Sequence, residues 1–198
     1  MNRRFGWFAL GLSALLALVS GCGSNDSNPV AEPSACDLLA CGASQKICVG
    51  EGSTAQCAAC PTGQYAANAT TCKNLQGTPI THEFAEFSVQ PGQEILGQCQ
   101  SFTLNNPTEI WVNAVELEQD EWSHHSNWTF VPSDRFNGPD GVWKCSDRDY
   151  DQVSAALAGG VLYAQSTQAT REVQKFPDGV AVRIPPYSRI IGDVHLLN

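Results

Sequence analysis

"SRIIGDVHLLN", residues 188 to 198, is the stretch on which the fold turns. Successive side chains of a strand point to opposite faces, so Ile191, Asp193, His195 and Leu197 share one face. His195 thus stands among apolar neighbours rather than at a solvated loop tip. A lone histidine there is more often a satisfied core residue than a ligand, so its neighbours in space matter more than those in sequence. Working back along the chain, 84–89, 94–104, 109–118, 124–131, 161–165 and 179–184 also read as strands, together with 188–197 itself. The turn signals PGQ, NNP, NGPDG and FPDG fall between them. One helix is expected over 147–158, capped by Asp147, with Tyr150, Val153 and Leu157 at helical spacing and Gly159-Gly160 as its stop. Many short strands with one helix predict a mainly β domain over residues 80–198, an antiparallel β-sandwich or jelly roll.

"EWSHHSNW", residues 121 to 128, places two of the four histidines of the chain side by side. Neighbours on a regular strand face opposite ways, so His124 and His125 can serve one metal ion only at a bulge or a strand end. If they do not, the pair is part of a polar edge.

The chain begins with Arg3 and Arg4, an apolar run from Phe5 to Val19, and Ser20-Gly21-Cys22. A basic start, a short apolar run and small residues before a cut site describe an export signal over residues 1–21. Val19-Ser20-Gly21-Cys22 resembles the bacterial lipobox, which implies that Cys22 is lipidated and becomes the new N-terminus. Several acyl chains on one residue would anchor the protein stably. Gly23 after that cysteine goes more often with the outer membrane than with the inner. The expected location is therefore the bacterial cell envelope, with the membrane as partner through the N-terminal lipid. Residues 22–35 hold the lipidated cysteine and then a polar tether rich in Ser, Asn and Pro. Removing the signal leaves 9 basic residues against 20 acidic ones, a formal charge of −11. No basic patch exists to grip phosphates, which excludes nucleic acid as a partner. No nucleophile elbow, phosphate loop or dinucleotide fingerprint occurs.

Besides Cys22 there are eight cysteines, an even number that outside the cytoplasm favours disulfides over free thiols. Six of them lie between Cys36 and Cys72, in a block too short to fold on an apolar core alone. Their spacing does not choose among the pairings. With Cys60-Pro-Thr-Gly-Gln-Tyr65 near its end, the block resembles an EGF-like module over residues 36–75. The resemblance implies the pairs Cys36–Cys48, Cys41–Cys57 and Cys60–Cys72 and the role of a spacer or protein contact. Cys57-Ala-Ala-Cys60 departs from the usual spacing of that family, and the acidic residues of its calcium site are missing.

Residues 80–198 resemble the N-terminal copper domain of the copper type II, ascorbate-dependent monooxygenases, the family of peptidylglycine alpha-hydroxylating and dopamine beta-monooxygenases. The resemblance lies in an ordered set: Cys99, the pair His124-His125, Cys145 after Val-Trp-Lys, then "GGVLYAQ", "FPDGVAVRIP" and "GDVHLLN". It implies an eight-stranded antiparallel jelly roll, a Cys99–Cys145 disulfide, and one copper ion per chain on His124, His125 and His195. In the family these histidines bind through the ring nitrogen nearer the backbone. Ascorbate or another donor would supply electrons within a complete enzyme. Imidazole suits both copper oxidation states, although three histidines also make catalytic zinc sites in unrelated folds.

The chain departs from the family in two places. The hydroxylating copper of the family is held by a His-x-His pair and a methionine in a second domain. That second copper domain is missing from this chain, whose only methionine is Met1. The polypeptide alone is therefore expected to be inactive, and His82 is read as a surface residue. Asp193 stands where some proposals place a glutamine in the electron route, and it is a candidate for orienting His195. Asp147, Asp149 and Asp151 lack the glycine and distal glutamate of a calcium loop and suit a helix start instead. Two alternatives stand beside the enzyme-domain reading: a non-catalytic copper-binding or redox lipoprotein, and an adhesion or scaffold lipoprotein with incidental histidines.

Overall fold

The computed structural model describes residues 33–165 and 168–198. The signal peptide, Cys22 and nearly all of the tether lie outside them. No helix of the described residues is long and apolar enough to cross a membrane.

The chain enters through a short helix, α1 (Ala35–Leu39), whose start is closed by a reciprocal pair: Ser34 Oγ accepts from Asp37 N, and Asp37 accepts from Ser34 N. Two small hairpins follow, β1 (Lys46–Val49) with β2 (Gln56–Ala59) and β3 (Gln64–Ala66) with β4 (Cys72–Asn74). Cys36–Cys48, Cys41–Cys57 and Cys60–Cys72 staple them, the pairs that the EGF-like resemblance implies.

The second region contains β5 (Glu94–Thr103), β6 (Ile110–Val112), β7 (Ala114–Glu118), β8 (Ser123–Pro132), β9 (Gly141–Lys144), α2 (Gln152–Ala158), β10 (Gly160–Ala164), β11 (Arg171–Lys175), β12 (Val182–Ile184) and β13 (Ser188–Leu197). Five strands form one antiparallel sheet in the order β10-β8-β13-β5-β9, with β13 at its centre. The pairs β6–β12 and β7–β11 supply the opposing layer. The fold is thus a mainly β, antiparallel β-sandwich.

Alternation along β13 divides two cores. Ile190 and Val194 face the interior of the sandwich with Trp128, Phe130, Tyr163 and Ile184, and Ile110, Val112, Val115 and Leu117 close it from the second layer. Ile191 faces the other way, into a smaller core of Cys99, Val131, Trp143, Cys145, Tyr150 and Ala155 beneath α2. The Cys99–Cys145 disulfide runs through that smaller core and ties β5 to the turn after β9.

Several expectations are corrected. Residues 84–89 form no strand, although Phe84 and Phe87 still pack against the sandwich core. The stretch 109–118 is two strands, and only 182–184 of 179–184 is strand. The strands β9 and β11 were not expected at all. The helix expected over 147–158 splits into a 3-10 turn (Cys145–Arg148) and α2, because Asp149 adopts a left-handed backbone between them. Asp151, not Asp147, caps α2 by accepting from Ser154 N at 2.8 Å. Ala155 rather than Val153 and Leu157 faces the sheet, and those two are exposed. The reason is close approach: a Cβ on Gly159 would lie 1.8 Å from the Phe130 carbonyl oxygen, so only small residues fit between helix and sheet.

The cysteine-rich module packs against the sandwich. Arg171 on β11 donates to Glu116 through Nε at 2.7 Å and to the carbonyls of Gln64 (2.7 Å) and Pro61 (3.2 Å). Gly63 N donates to Glu116, Thr62 Oγ1 to Glu118, and Val173 N to Gln45 Oε1.

Candidate metal centre

At the end of the large sheet where β5 and β8 begin and β13 ends, regular pairing fails on both sides of His195. Toward β8, His195 pairs with His125 and Leu196 with Ser123, which leaves His124 as an extra residue. Toward β5, Val194 pairs with Gln98 and Leu196 with Ile95, so Leu96 and Gly97 together stand opposite His195. Gly97, the second of the two, takes a φ of 66°, a left-handed backbone that glycine adopts without steric cost. The bulge that two neighbouring histidines need in order to share a ligand is therefore present at His124.

Its effect is to turn three rings toward one another. The imidazole centroids of His124 and His195 are 4.7 Å apart, those of His125 and His195 4.7 Å, and those of His124 and His125 5.1 Å. One donor atom from each ring lies within 4.8 Å of the other two. Nitrogens about 2.0 Å from a shared ion sit no more than about 4 Å apart, so small ring rotations would close the set. All three residues are half-buried, and Leu96, Trp122 and Leu197 are exposed at the same end of the sheet. The donors are imidazoles without a carboxylate among them, which fits copper and zinc and suits magnesium or calcium poorly.

Neighbouring groups set the state of these rings. Burial, and then the imidazoles of His195 and His124, hold His125 below the usual histidine range, with the charge of Asp193 acting in the other direction. The direction of that shift favours the neutral ring, the form that binds a metal. His195 Nε2 lies 2.8 Å from Glu94 Oε1. Gln168 Nε2 lies 2.5 Å from His124 Nδ1. Neither partner was singled out from the sequence, since Glu94 is distant from His195 along the chain and Gln168 sits in a connection.

Asp193, the expected partner of His195, instead accepts from Gln152 Nε2 at 2.9 Å, beside the disulfide sulfur of Cys145. Its link to the site is electrostatic, through His125. Cys99, Cys145 and Asp193 are the other trio of donor residues brought together among the described residues, and the disulfide removes both thiolates from metal chemistry. His82 is exposed and stacks on Phe102 at 4.1 Å, with Phe84 edge-on to it.

No family model, curated protein or solved structure matches the chain.

Proposed function

We propose that His124, His125 and His195 form a single-copper site, and that the sandwich is the electron-transfer copper domain of a lipoprotein related to the copper type II, ascorbate-dependent monooxygenases. The observation that carries the reading is the meeting of the three imidazoles at one bulge, from the His-His pair and the final histidine of the family's ordered set. Copper, when bound, supplies one-electron oxidation and reduction. The residues of this chain do the holding: three imidazoles bind, Glu94 and Gln168 restrain two of them, and the Cys99–Cys145 disulfide fastens β5 near the site.

The proposal assigns one ion to this chain and no C–H hydroxylation to the polypeptide alone. That step belongs to a second copper domain, with electrons from ascorbate or another envelope donor. Lipidation at Cys22 would hold the protein at the cell envelope, on the outer membrane.

Elemental analysis of the exported protein, exposed to equimolar copper and zinc, tests the assignment. One copper per chain is expected, with a type 2 Cu(II) resonance that His195→Ala abolishes. Zinc in place of copper, or copper retained after all three histidines are changed to alanine, would overturn it. Oxygen uptake with ascorbate and a C–H substrate is expected to stay at the background of the metal-free protein.

A further inference from the structure

We infer that the open groove between α2 and the end of β8 is a docking site for an acidic, apolar peptide segment of a partner protein. Arg135 takes a carboxylate of that segment, and Val153 and Leu157 take an apolar side chain next to it. The groove stands at Pro132, the opposite end of β8 from the histidines, so the inference is independent of the copper assignment.

The close approach of α2 to its sheet leaves room inward for Ala155 and turns the two largest apolar side chains of the helix outward. Val153 and Leu157, one turn apart on the same stripe, are 69% and 85% exposed. A single exposed apolar side chain is ordinary, whereas two in register beside a cleft form the kind of face that packs against something. The cleft has a volume of about 510 Å³ and is lined by Pro132, Arg135, Ser154, Leu157 and Ala158. Its walls are therefore mainly apolar with one cation and one hydroxyl, the composition of a recognition groove.

Charge decides the occupant. The described residues hold five arginines, and four are engaged: Arg148 donates to the Pro139 carbonyl, Arg171 to Glu116, and Arg183 and Arg189 pair with Glu109 and Asp140. Among the described residues Arg135 alone of the five makes no hydrogen bond or ion pair, not even with the adjacent Asp134; its guanidinium meets only the Phe136 ring, 5.6 Å from the centroid. The planar guanidinium fork matches a carboxylate, so a free one beside an apolar stripe complements an acidic ligand and repels a basic one. The turn that carries it is fixed in advance. Arg135 N donates to the Pro132 carbonyl at 3.0 Å and Ser133 N to that of Tyr187 at 3.1 Å. Phe136, held at a φ of 50°, accepts through its carbonyl from buried Arg189 at 3.3 Å. A recognition side chain on so constrained a turn has less freedom to lose when a partner binds.

Amide ¹H–¹⁵N spectra of the labelled exported protein, titrated with three blocked tetrapeptides, test the groove: Leu-Glu-Leu-Glu, Leu-Gln-Leu-Gln and Leu-Lys-Leu-Lys. The Glu peptide should shift the amides of Arg135, Ser154 and Leu157, the Gln peptide should bind there about tenfold more weakly, and the Lys peptide should leave them unmoved. Arg135→Gln should reduce binding of the Glu peptide to that of the Gln peptide, and Leu157→Ser should weaken both. Both positions are on the surface, so the variants should keep the wild-type spectrum elsewhere. Equal binding of the Glu and Gln peptides, indifference of the Glu peptide to Arg135→Gln, or no shift with any peptide would overturn the inference. The same amides shifting with protein concentration alone would assign the groove to a second copy of the chain and overturn the peptide reading.

Discussion

Among residues 36–75 the buried side chains are Cys41, Cys48 and Cys60, whereas the sandwich buries Trp128, Phe130, Val131, Trp143, Tyr163, Ile184, Ile190 and Ile191 among others. One region is closed by sulfur and the other by hydrocarbon. The module has too little apolar surface to offset its chain entropy, and each of its cross-links, spanning 12, 16 and 12 residues, contributes about 3 kcal/mol by limiting the unfolded chain. In the sandwich each large apolar side chain contributes about 2 kcal/mol by burial, with one disulfide in addition. The two regions nonetheless meet through charged and polar groups centred on Arg171, so their separate stabilities are coupled by a small, specific contact.

Reduction should separate them most sharply. With dithiothreitol, protease cleavage is expected first within 36–75, while a fragment near 80–198 persists. Loss of both together at one reductant concentration would show that the sandwich depends on the module. The sandwich has its own covalent debt to the 46-residue span between Cys99 and Cys145, and the paired change Cys99→Ser with Cys145→Ser should lower its unfolding free energy by about 4 kcal/mol. Gly159→Ala should come next, at about 3 kcal/mol, because the added methyl meets the backbone oxygen of Phe130 and not a movable side chain. Denaturant unfolding followed by tryptophan fluorescence would record both.

Arg171→Met should weaken the contact by about 2 kcal/mol, since it removes charge-assisted bonds to two module carbonyls as well as the pair with Glu116 on β7 inside the sandwich. Hydrogen exchange should then quicken at Gly63 and Val173, whose amides donate across that contact, and not in β13. The smallest effect expected is at acid pH. The bonds from Ser154 hold the Asp151 carboxyl below the usual carboxylate range. A carboxyl depressed in the folded state contributes stability that is present above its unfolded value, about 3.9, and is lost as pH falls through the folded one. Asp151→Asn keeps a capping oxygen and should flatten this acid limb of the stability curve without moving the neutral plateau.

The comparison also explains what could be read from the sequence. In β13 strict alternation coincides with burial on both faces, so its limits and facing residues were legible. The need for a bulge at His124-His125 followed from period-two geometry alone. β11, "REVQK", gave no apolar alternation because Arg171 is used against the module. β9 is short and lies at the sheet edge beside glycine and proline, where turn signals dominate. The side chains of α2 read with the wrong face inward, since periodicity reports apolar spacing and not how closely a helix can approach its sheet. Glu94 and Gln168 left no local signal: what singles them out is a ring nitrogen supplied by another strand.

The paired bulges have one more consequence. An antiparallel sheet behaves as a set of oscillators locked in phase, and an inserted residue is a slip of half a period. Here β8 and β5 each slip once, on opposite sides of the same residue of β13, and beyond it Leu196 is again opposite both Ser123 and Ile95. The two slips cancel, so β13 runs through undisturbed and the disturbance is confined to one rung. Moving the histidine cluster along the sheet would require shifting both insertions in concert; deleting either one would invert the facing of every residue between it and the strand end.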